Sequence, residues 1–161
     1  MVIFAISGSG IGAGKTTLAR MISQPVWSLA GGLRQELAIS LPEYNWENRS
    51  QEYKDKTRVH ERGNKTVRQV MVEHGQSKCE SNPHYWVERL CDRISSVPST
   101  LQSQIVAIDD VRKVSEITHI RGRFPGQVIH LHVEYEGAVY EPEFENEELR
   151  KLADYIVKRN R

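Results

Sequence analysis

The sequence predicts a single three-layer α/β fold built on a mostly parallel sheet. Three observations carry that expectation. Val2 to Ser7 is a continuous apolar run that leads through a glycine-rich loop into a helical pattern, the order of a strand buried on both faces followed by a crossover helix. A second apolar run, Ile105 to Ile108, closes on Asp109 and Asp110, and a third spans Val128 to Val133. Segments of helical spacing separate these runs, and strands alternating with helices assemble into parallel sheets.

After the loop from Gly8 to Gly14, Lys15 to Ser23 places Leu18, Ala19 and Ile22 on one helical face. Pro25 to Ala30 reads as a second short strand, Gly31-Gly32 as a turn, and Leu33 to Ser40 as a helix stopped by Pro42. Pro42 to Lys65 is polar, dotted with aromatics and poorly periodic, which predicts a surface lobe or mobile insertion rather than core. Thr66 to His74 recovers helical spacing through Val67, Val70 and Met71, with Gly75 as its expected C-cap. Pro83 to Ser95 is a helix with Trp86, Val87, Leu90 and Ile94 on one face, and Val114 to Arg121 is another that leads to Gly126. Leu149, Leu152, Ala153, Ile156 and Val157 satisfy helical spacing near the end of the sequence.

With 161 residues, 39% hydrophobic and 27% charged, the chain is one ordinary globular domain, neither disordered nor membrane-spanning. Its apolar stretches fall far short of a bilayer span and no leader-type segment precedes them, so a cytoplasmic location is expected. Lys and Arg number 22 against 21 Asp and Glu, a net charge of +1 that excludes a global basic field for duplex nucleic acid. Charge is local instead. Arg49, Lys54, Lys56, Arg58, Arg62, Lys65 and Arg68 outnumber Glu52, Asp55 and Glu61, Glu141 to Glu148 is acidic, and the tail Lys158-Arg159-Asn160-Arg161 is basic. Cys79 and Cys91 form no metal-type pair, which fits a reducing compartment. No internal repeat is visible.

The chemistry begins at Gly8. Phosphates need several backbone N–H groups converging on one point, and a glycine-rich turn entering a helix supplies them with the positive end of the helix dipole. Gly8-Ser9-Gly10-Ile11-Gly12-Ala13-Gly14-Lys15-Thr16-Thr17 stands between a buried strand and a helix, the context of the phosphate loop in a three-layer P-loop NTPase fold. Ser9, Gly10, Gly12, Ala13, Gly14, Lys15, Thr16 and Thr17 are the expected ATP contacts, with Lys15 reaching the β- and γ-phosphates and Thr16 placing a hydroxyl on Mg²⁺. Five residues rather than four separate Gly8 from Gly14, and Ser9 takes the place of the usual first glycine. Either Ser9 accepts that dihedral or the loop is one residue longer. A dinucleotide fingerprint fits worse, because G-x-G-x-x-G counted from Gly8 lands on Ala13 and from Gly10 on Lys15. Asp109, at the end of an apolar strand, is the expected second Mg²⁺ ligand; the Asp pair capping the next helix is the alternative. Arg112 follows with a planar fork suited to phosphate oxygens.

Several short segments in order resemble the phage-type deoxynucleoside monophosphate kinases, relatives of adenylate and guanylate kinases. They are Ala5-Ile6-Ser7-Gly8 with Gly14-Lys15-Thr16-Thr17, then Leu29-Ala30-Gly31 with Arg34 and Leu37-Ala38, then Thr66 to Met71 with Gly75. Tyr85-Trp86-Val87, Asp110-Val111-Arg112 with Glu116, and Val128-Ile129-His130 complete the set. The resemblance implies transfer of the ATP γ-phosphate, with Mg²⁺, to a (deoxy)nucleoside monophosphate. It implies a monophosphate-binding lobe at about residues 34–75 and a short lid at about 134–146. Lys15, Asp110 and Arg112 are then the catalytic groups, while Arg34 and Arg68 clamp the monophosphate, with Asp110 and Arg112 toward the transferred group. The family's arginine after the strand ending Leu131-His132-Val133-Glu134 has no counterpart at that place, and Arg121 and Arg123 are the candidates to replace it. Ala153 to Asn160 resembles the family's last strand, and with the helical spacing noted above both assignments stand.

The acceptor base needs an aromatic or apolar wall, for which Tyr44, Trp46, Tyr85 and Trp86 are candidates, Trp86 fitting a packing role better. Glu43, Glu47 and Glu52 with Asn45, Asn48 and Gln51 crowd that segment. A carboxylate can accept from both guanine donors, so dGMP is the first acceptor expected and dTMP the second. His130 and His132 alternate on one strand as a metal pair would, without an apparent third ligand. Two other readings fit the loop: a small P-loop kinase of a phosphate-free metabolite, and an ATP-binding regulatory or assembly protein. The expected partners are ATP and the monophosphate, with no nucleic-acid duplex and no membrane; a homodimer is compatible with the sequence.

Overall fold

The computed structural model describes residues 1–48, 50–97, 105–139 and 145–160. Arg49 of the basic run, 140–144 of the expected lid and acidic stretch, and Arg161 of the tail lie outside the described residues. The elements are β1 (Val2–Gly8), α1 (Lys15–Ile22), β2 (Val26–Ser28), α2 (Leu29–Ser40), α3 (Gln51–Lys56), β3 (Arg58–Val59), β4 (Lys65–Thr66) and α4 (Val67–Ser81). They continue with α5 (Tyr85–Ser95), β5 (Ile105–Asp109), α6 (Val114–Arg123), β6 (Val128–Glu134), α7 (Asn146–Leu152) and β7 (Tyr155–Lys158). Two compact units emerge: Met1–Leu29 with Val87–Arg161, and Ala30–Trp86.

The larger unit holds a five-stranded sheet in the order β2-β5-β1-β6-β7, every neighbouring pair parallel. Alternate residues of β1 enter different cores, as the period of a strand demands. Ile3 and Ala5 join Val106, Ile108, Leu90 of α5, Ile117 of α6 and Leu149 of α7. Ile6 and the partly buried Phe4 join Ala107, Leu131 and Ala19 of α1. Helices therefore cover both faces, and the fold is the expected three-layer, P-loop-like α/β arrangement. From β1 the chain leaves toward β2 on one side, while β5 returns past β1 to β6 on the other. That reversal puts the switch point at the carboxyl end of β1, where ligands of such sheets bind.

The smaller unit packs around Leu33, Leu37, Leu41, Trp46, Val59, Val67 and Val70. Pro42 to Lys65 is thus not a coreless insertion: Trp46 is 2% and Val59 0% exposed, so two well-spaced apolar residues anchor an otherwise polar segment. Gly31-Gly32 is no turn but lies within α2, which begins at Leu29; burying Leu33 and Leu37 outweighs a helix cost of about 1 kcal/mol per glycine. Gly75 does not end its helix, since α4 runs on to Ser81. A Cβ there would stand 3.1 Å from Leu33, and its carbonyl accepts from Trp86 Nε1 at 3.1 Å. Trp86 packs in this cluster, whereas Val87, Leu90 and Ile94 belong to the other unit's core. The terminal ambiguity resolves both ways: Leu149 and Leu152 are helical, and Tyr155 to Lys158 is a strand.

Candidate functional site

β1 runs directly into the glycine-rich loop. Gly8 has no side chain because a Cβ would come within 3.0 Å of Val133 O and 3.1 Å of Lys15 Cγ. The absent side chain leaves room for the Lys15 stem, and Lys15 is 8% exposed rather than solvent-facing as its loop position suggests. Its Nζ donates to Gly10 O at 2.9 Å and lies 3.5 Å from Asp110 Oδ1. Gly14, at φ 100°, turns the chain into α1 in the left-handed region where glycine is favoured. The first-turn N–H groups of a helix have no intrahelical acceptor, and Leu18 N, bonded to Gly14 O at 3.0 Å, is the first to find one here.

Ser9 departs from its expected part. It has no positive φ, its N–H is spent on Val133 O at 2.9 Å, and its hydroxyl donates to Tyr135 O at 3.3 Å while accepting from Tyr135 N at 3.1 Å. The loop is the longer one, with Ser9 still continuing the sheet and fastening the end of β6. Ala13 is fully buried with Ile6 and Ala19. Ile11 and Val139 exchange both backbone hydrogen bonds, at 2.9 and 2.8 Å, so a described part of the expected lid is tied to the loop.

β5 delivers the acids. Asp109 is 2% exposed, and its Oδ2 accepts from Thr16 Oγ1 at 2.8 Å. A hydroxyl and a carboxylate in contact beside the glycine-rich loop are hard oxygen donors of the kind Mg²⁺ takes. Asp110 holds a left-handed φ of 64°, uncommon for a residue with a side chain. Its Oδ2 accepts from Arg112 Nε at 3.0 Å and Nη2 at 2.5 Å. Burial pushes the Asp110 carboxyl up, but the Arg112 hydrogen bonds and the Arg112 and Lys15 charges outweigh it and hold the group below the ordinary range. Capping of α6 falls instead to Glu116, which accepts from Arg112 N at 2.8 Å and Lys113 N at 3.1 Å. The Asp pair is thereby left to the loop.

Beside the loop, a cleft of about 640 Å³ is lined in part by Ser9, His132, Glu134, Tyr135, Arg150 and Arg159. Arg121 and Arg123, expected as replacement arginines, are paired with Asp154 at 2.9 Å and Asp92 at 3.0 Å. Arg150 is paired with Glu134. Below, the buried Ser7 hydroxyl lies 2.8 Å from His130 Nε2 and 2.9 Å from His132 Nδ1. One hydroxyl proton serves only one of these nitrogens, so the other ring must donate to the oxygen. Burial pushes both imidazoles down, His132 to about 4. The pair is a neutral polar network, and among the described residues no group of three or more His, Cys, Asp or Glu is placed to hold a metal. Cys91 is buried and its thiol is pushed up to about 11.

In the smaller unit Arg34 is half-buried on α2. Arg68, at the start of α4, binds Asp55 through Nε at 2.5 Å and Nη2 at 3.3 Å and also donates to Gln51. Trp46 is a core residue whose Nε1 donates to Leu41 O at 2.8 Å, which removes it from the base wall. Glu43, Glu47 and Glu52 are exposed, and Glu52 is engaged by Lys56 at 2.9 Å. The enclosed carboxylate is one the motifs did not mark: Glu36 accepts from Tyr85 OH at 2.6 Å, lies 3.0 Å from His74 Nε2 and 3.7 Å from Lys78 Nζ. Burial raises its pKa, yet those hydrogen bonds and the Lys78 charge hold the group below its ordinary range. Its signal was positional: Glu36 stands three residues after Leu33, beside the apolar face of α2.

No family model matches the chain, and no curated protein does. Among solved structures it is similar to the crystal structure of TT1252 from Thermus thermophilus, at 20% identity and a TM-score of 0.49, over 99% of this chain and 89% of that one. No helix among the described residues is long and apolar enough to cross a membrane.

Proposed function

We propose that this chain is an ATP-dependent kinase of (deoxy)nucleoside monophosphates. The observation that carries the reading is the network at the carboxyl ends of β1 and β5, in which Lys15 and Arg112 share Asp110 while Thr16 bonds Asp109. Buried charge of both signs at a helix N-terminus suits a polyphosphate with its counter-cation. Mg²⁺, when bound at Thr16 and Asp109, would neutralise phosphate oxygens. In the reaction an acceptor phosphate oxygen attacks Pγ, the bond from Pγ to its bridging oxygen breaks, and the electron pair leaves with ADP. Lys15 and Arg112 offset the charge that moves with the phosphoryl group. Asp110 keeps both cations aimed at the loop.

The acceptor phosphate is assigned to Arg34 and Arg68 of the smaller unit, where a phosphate would take the place of Asp55 on the Arg68 fork. The preference for dGMP passes from the exposed glutamates to Glu36, a partly buried carboxylate beside Tyr85. A cytoplasmic setting suits both the ATP supply and the free cysteines. The test is ADP release by purified protein with ATP, Mg²⁺ and each monophosphate in turn. Release that requires a monophosphate supports the reading. Release indifferent to every monophosphate points to the regulatory ATPase, and release elicited by a phosphate-free acceptor points to a metabolite kinase.

A further inference from the structure

Lys15 and Arg159 share one feature: each cation rests on a carbonyl of the phosphate loop. Lys15 Nζ donates to Gly10 O at 2.9 Å, and Arg159 Nη1 donates to Gly12 O at 2.9 Å. Arg159 arrives from the far edge of the sheet. Its backbone N–H bonds Glu134 O at 2.9 Å, carrying the β6–β7 pairing one residue past β7. Its guanidinium carbon lies 4.4 Å from the centre of the Tyr135 ring, a cation–π distance. A Cβ on Gly14 would stand 3.6 Å from Arg159 Cδ and Nη1, so the guanidinium lies over the turn that opens α1. Tyr135 is in turn held by the reciprocal bonds between its backbone and the Ser9 hydroxyl.

Four other arginines of the larger unit, Arg112 and Arg150 near the loop and Arg121 and Arg123 at the opposite end of the sheet, are committed to acids. Arg112 binds Asp110 and Arg150 binds Glu134, while Arg121 and Arg123 bind Asp154 and Asp92. Arg159 is exposed, and its contacts among the described residues are a neutral carbonyl and an aromatic face. A guanidinium in that state loses little by exchanging the carbonyl for an anion, and it keeps donors in a fork that matches phosphate oxygens.

We infer that Arg159 is a phosphate-binding residue of the donor site, exchanging Gly12 O for an oxygen of the β- or γ-phosphate while its plane stays on Tyr135. This rests on the kinase reading and adds to it a residue from the end of the last strand. The added charge stabilises ATP over AMP on the loop and offsets the charge that collects on the β-phosphate as the Pγ–O bond breaks.

Calorimetric binding of ATP, ADP and AMP to wild type, Arg159→Ala and Arg159→Lys tests it, with turnover measured on the same proteins. The expected result is an ATP affinity reduced about tenfold or more in Arg159→Ala, a smaller loss for ADP and an AMP affinity within about twofold of wild type, the scale of one charge-assisted contact. Arg159→Lys recovers part of the loss, and the KM for the monophosphate is unchanged. If wild type binds ATP and Arg159→Ala binds it equally and turns over at the same rate, the inference falls while the kinase reading stands. Equal losses for ATP and AMP would make Arg159 a support of the loop and also overturn it. No ATP binding by wild type would overturn the kinase reading and this inference together.

Discussion

The glycine-rich loop of the larger unit and the Arg68 surface of the smaller unit hold their charged groups in opposite ways. In the larger one Lys15 is 8% and Asp109 2% exposed, and each is tied to a polar partner. In the smaller one the Arg68 and Asp55 side chains are 44% and 53% exposed, and Lys65–Glu73 and Lys56–Glu52 lie in the open. Burying charge is costly unless the groups are paired, so the loop network is set before any ligand arrives. Exposed ion pairs contribute about 0–1 kcal/mol, so the Arg68 fork can be surrendered to a better anion. The difference separates a preorganised charge site from an exchangeable one, and four measurements test it.

The largest effect falls on the buried side. Lys15→Ala reduces transfer about a thousandfold, ~4 kcal/mol of barrier, while the fold persists because Arg112 still neutralises Asp110. Turnover and the urea midpoint check both halves. Turnover within about tenfold of wild type would leave Lys15 a structural cation only.

The neutral histidine pair comes next. His132 is pushed from 6.5 to about 4 by burial, with His130 adding to the shift and the nearby Glu134 opposing it. The unfolded chain therefore binds more protons than the folded one below pH 6.5, and stability is full above that pH and lost as it falls. Between pH 6.5 and 5, above the carboxylate range, the loss attributable to His132 is on the order of 2 kcal/mol. Urea unfolding across that window measures it, and His132→Asn flattens the profile. An equally steep profile in that variant would place the titration elsewhere.

On the exchangeable side, Arg68→Ala and Arg34→Ala raise the KM for the monophosphate about tenfold, ~1.4 kcal/mol, more than that for ATP. Losing the exposed Asp55 pair leaves the urea midpoint close to that of wild type. Arg→Lys restores part of the affinity, since an ammonium lacks the paired donors. Steady-state kinetics in both substrates decide, and a larger rise for ATP would reverse the two assignments.

The smallest effect concerns the base. Glu36→Gln lowers the ratio of kcat/KM for dGMP over dTMP about fivefold, ~1 kcal/mol, and Glu52→Gln leaves it unchanged. Wild type that uses dTMP as well as dGMP would remove the purine preference without touching the kinase reading.

The fold was legible because β1, β5 and β6 are apolar runs of strand length, and burial on both faces needs no partner information to be recognised. That Thr16 and Asp109 meet was legible because Thr16 opens the helix after β1 and Asp109 ends β5, the parallel neighbour of β1. Ser9 was half legible: the extra loop residue was countable, but its bond to Tyr135 joins positions 126 apart in sequence. Gly31-Gly32 and Gly75 misled because glycine is read as punctuation, whereas packing of Leu33 against the α4 backbone decides both. Trp46 misled for the opposite reason, since aromatics in a polar segment advertise exposure until a core forms around them.

By itself the sequence determined the order of strands and helices, the glycine-rich loop between β1 and α1 and the acids at the end of β5, because local periodicity and adjacency along the chain suffice for each. Only the tertiary structure decided which arginines face acids, which carboxylate is partly enclosed, and that Arg159 reaches a loop carbonyl 147 residues before it. Those outcomes depend on which side chains the assembled sheet and helices bring within a few ångströms. Such distances follow from the pairing of β6 with β7 and of α2 with α4, which no local pattern encodes.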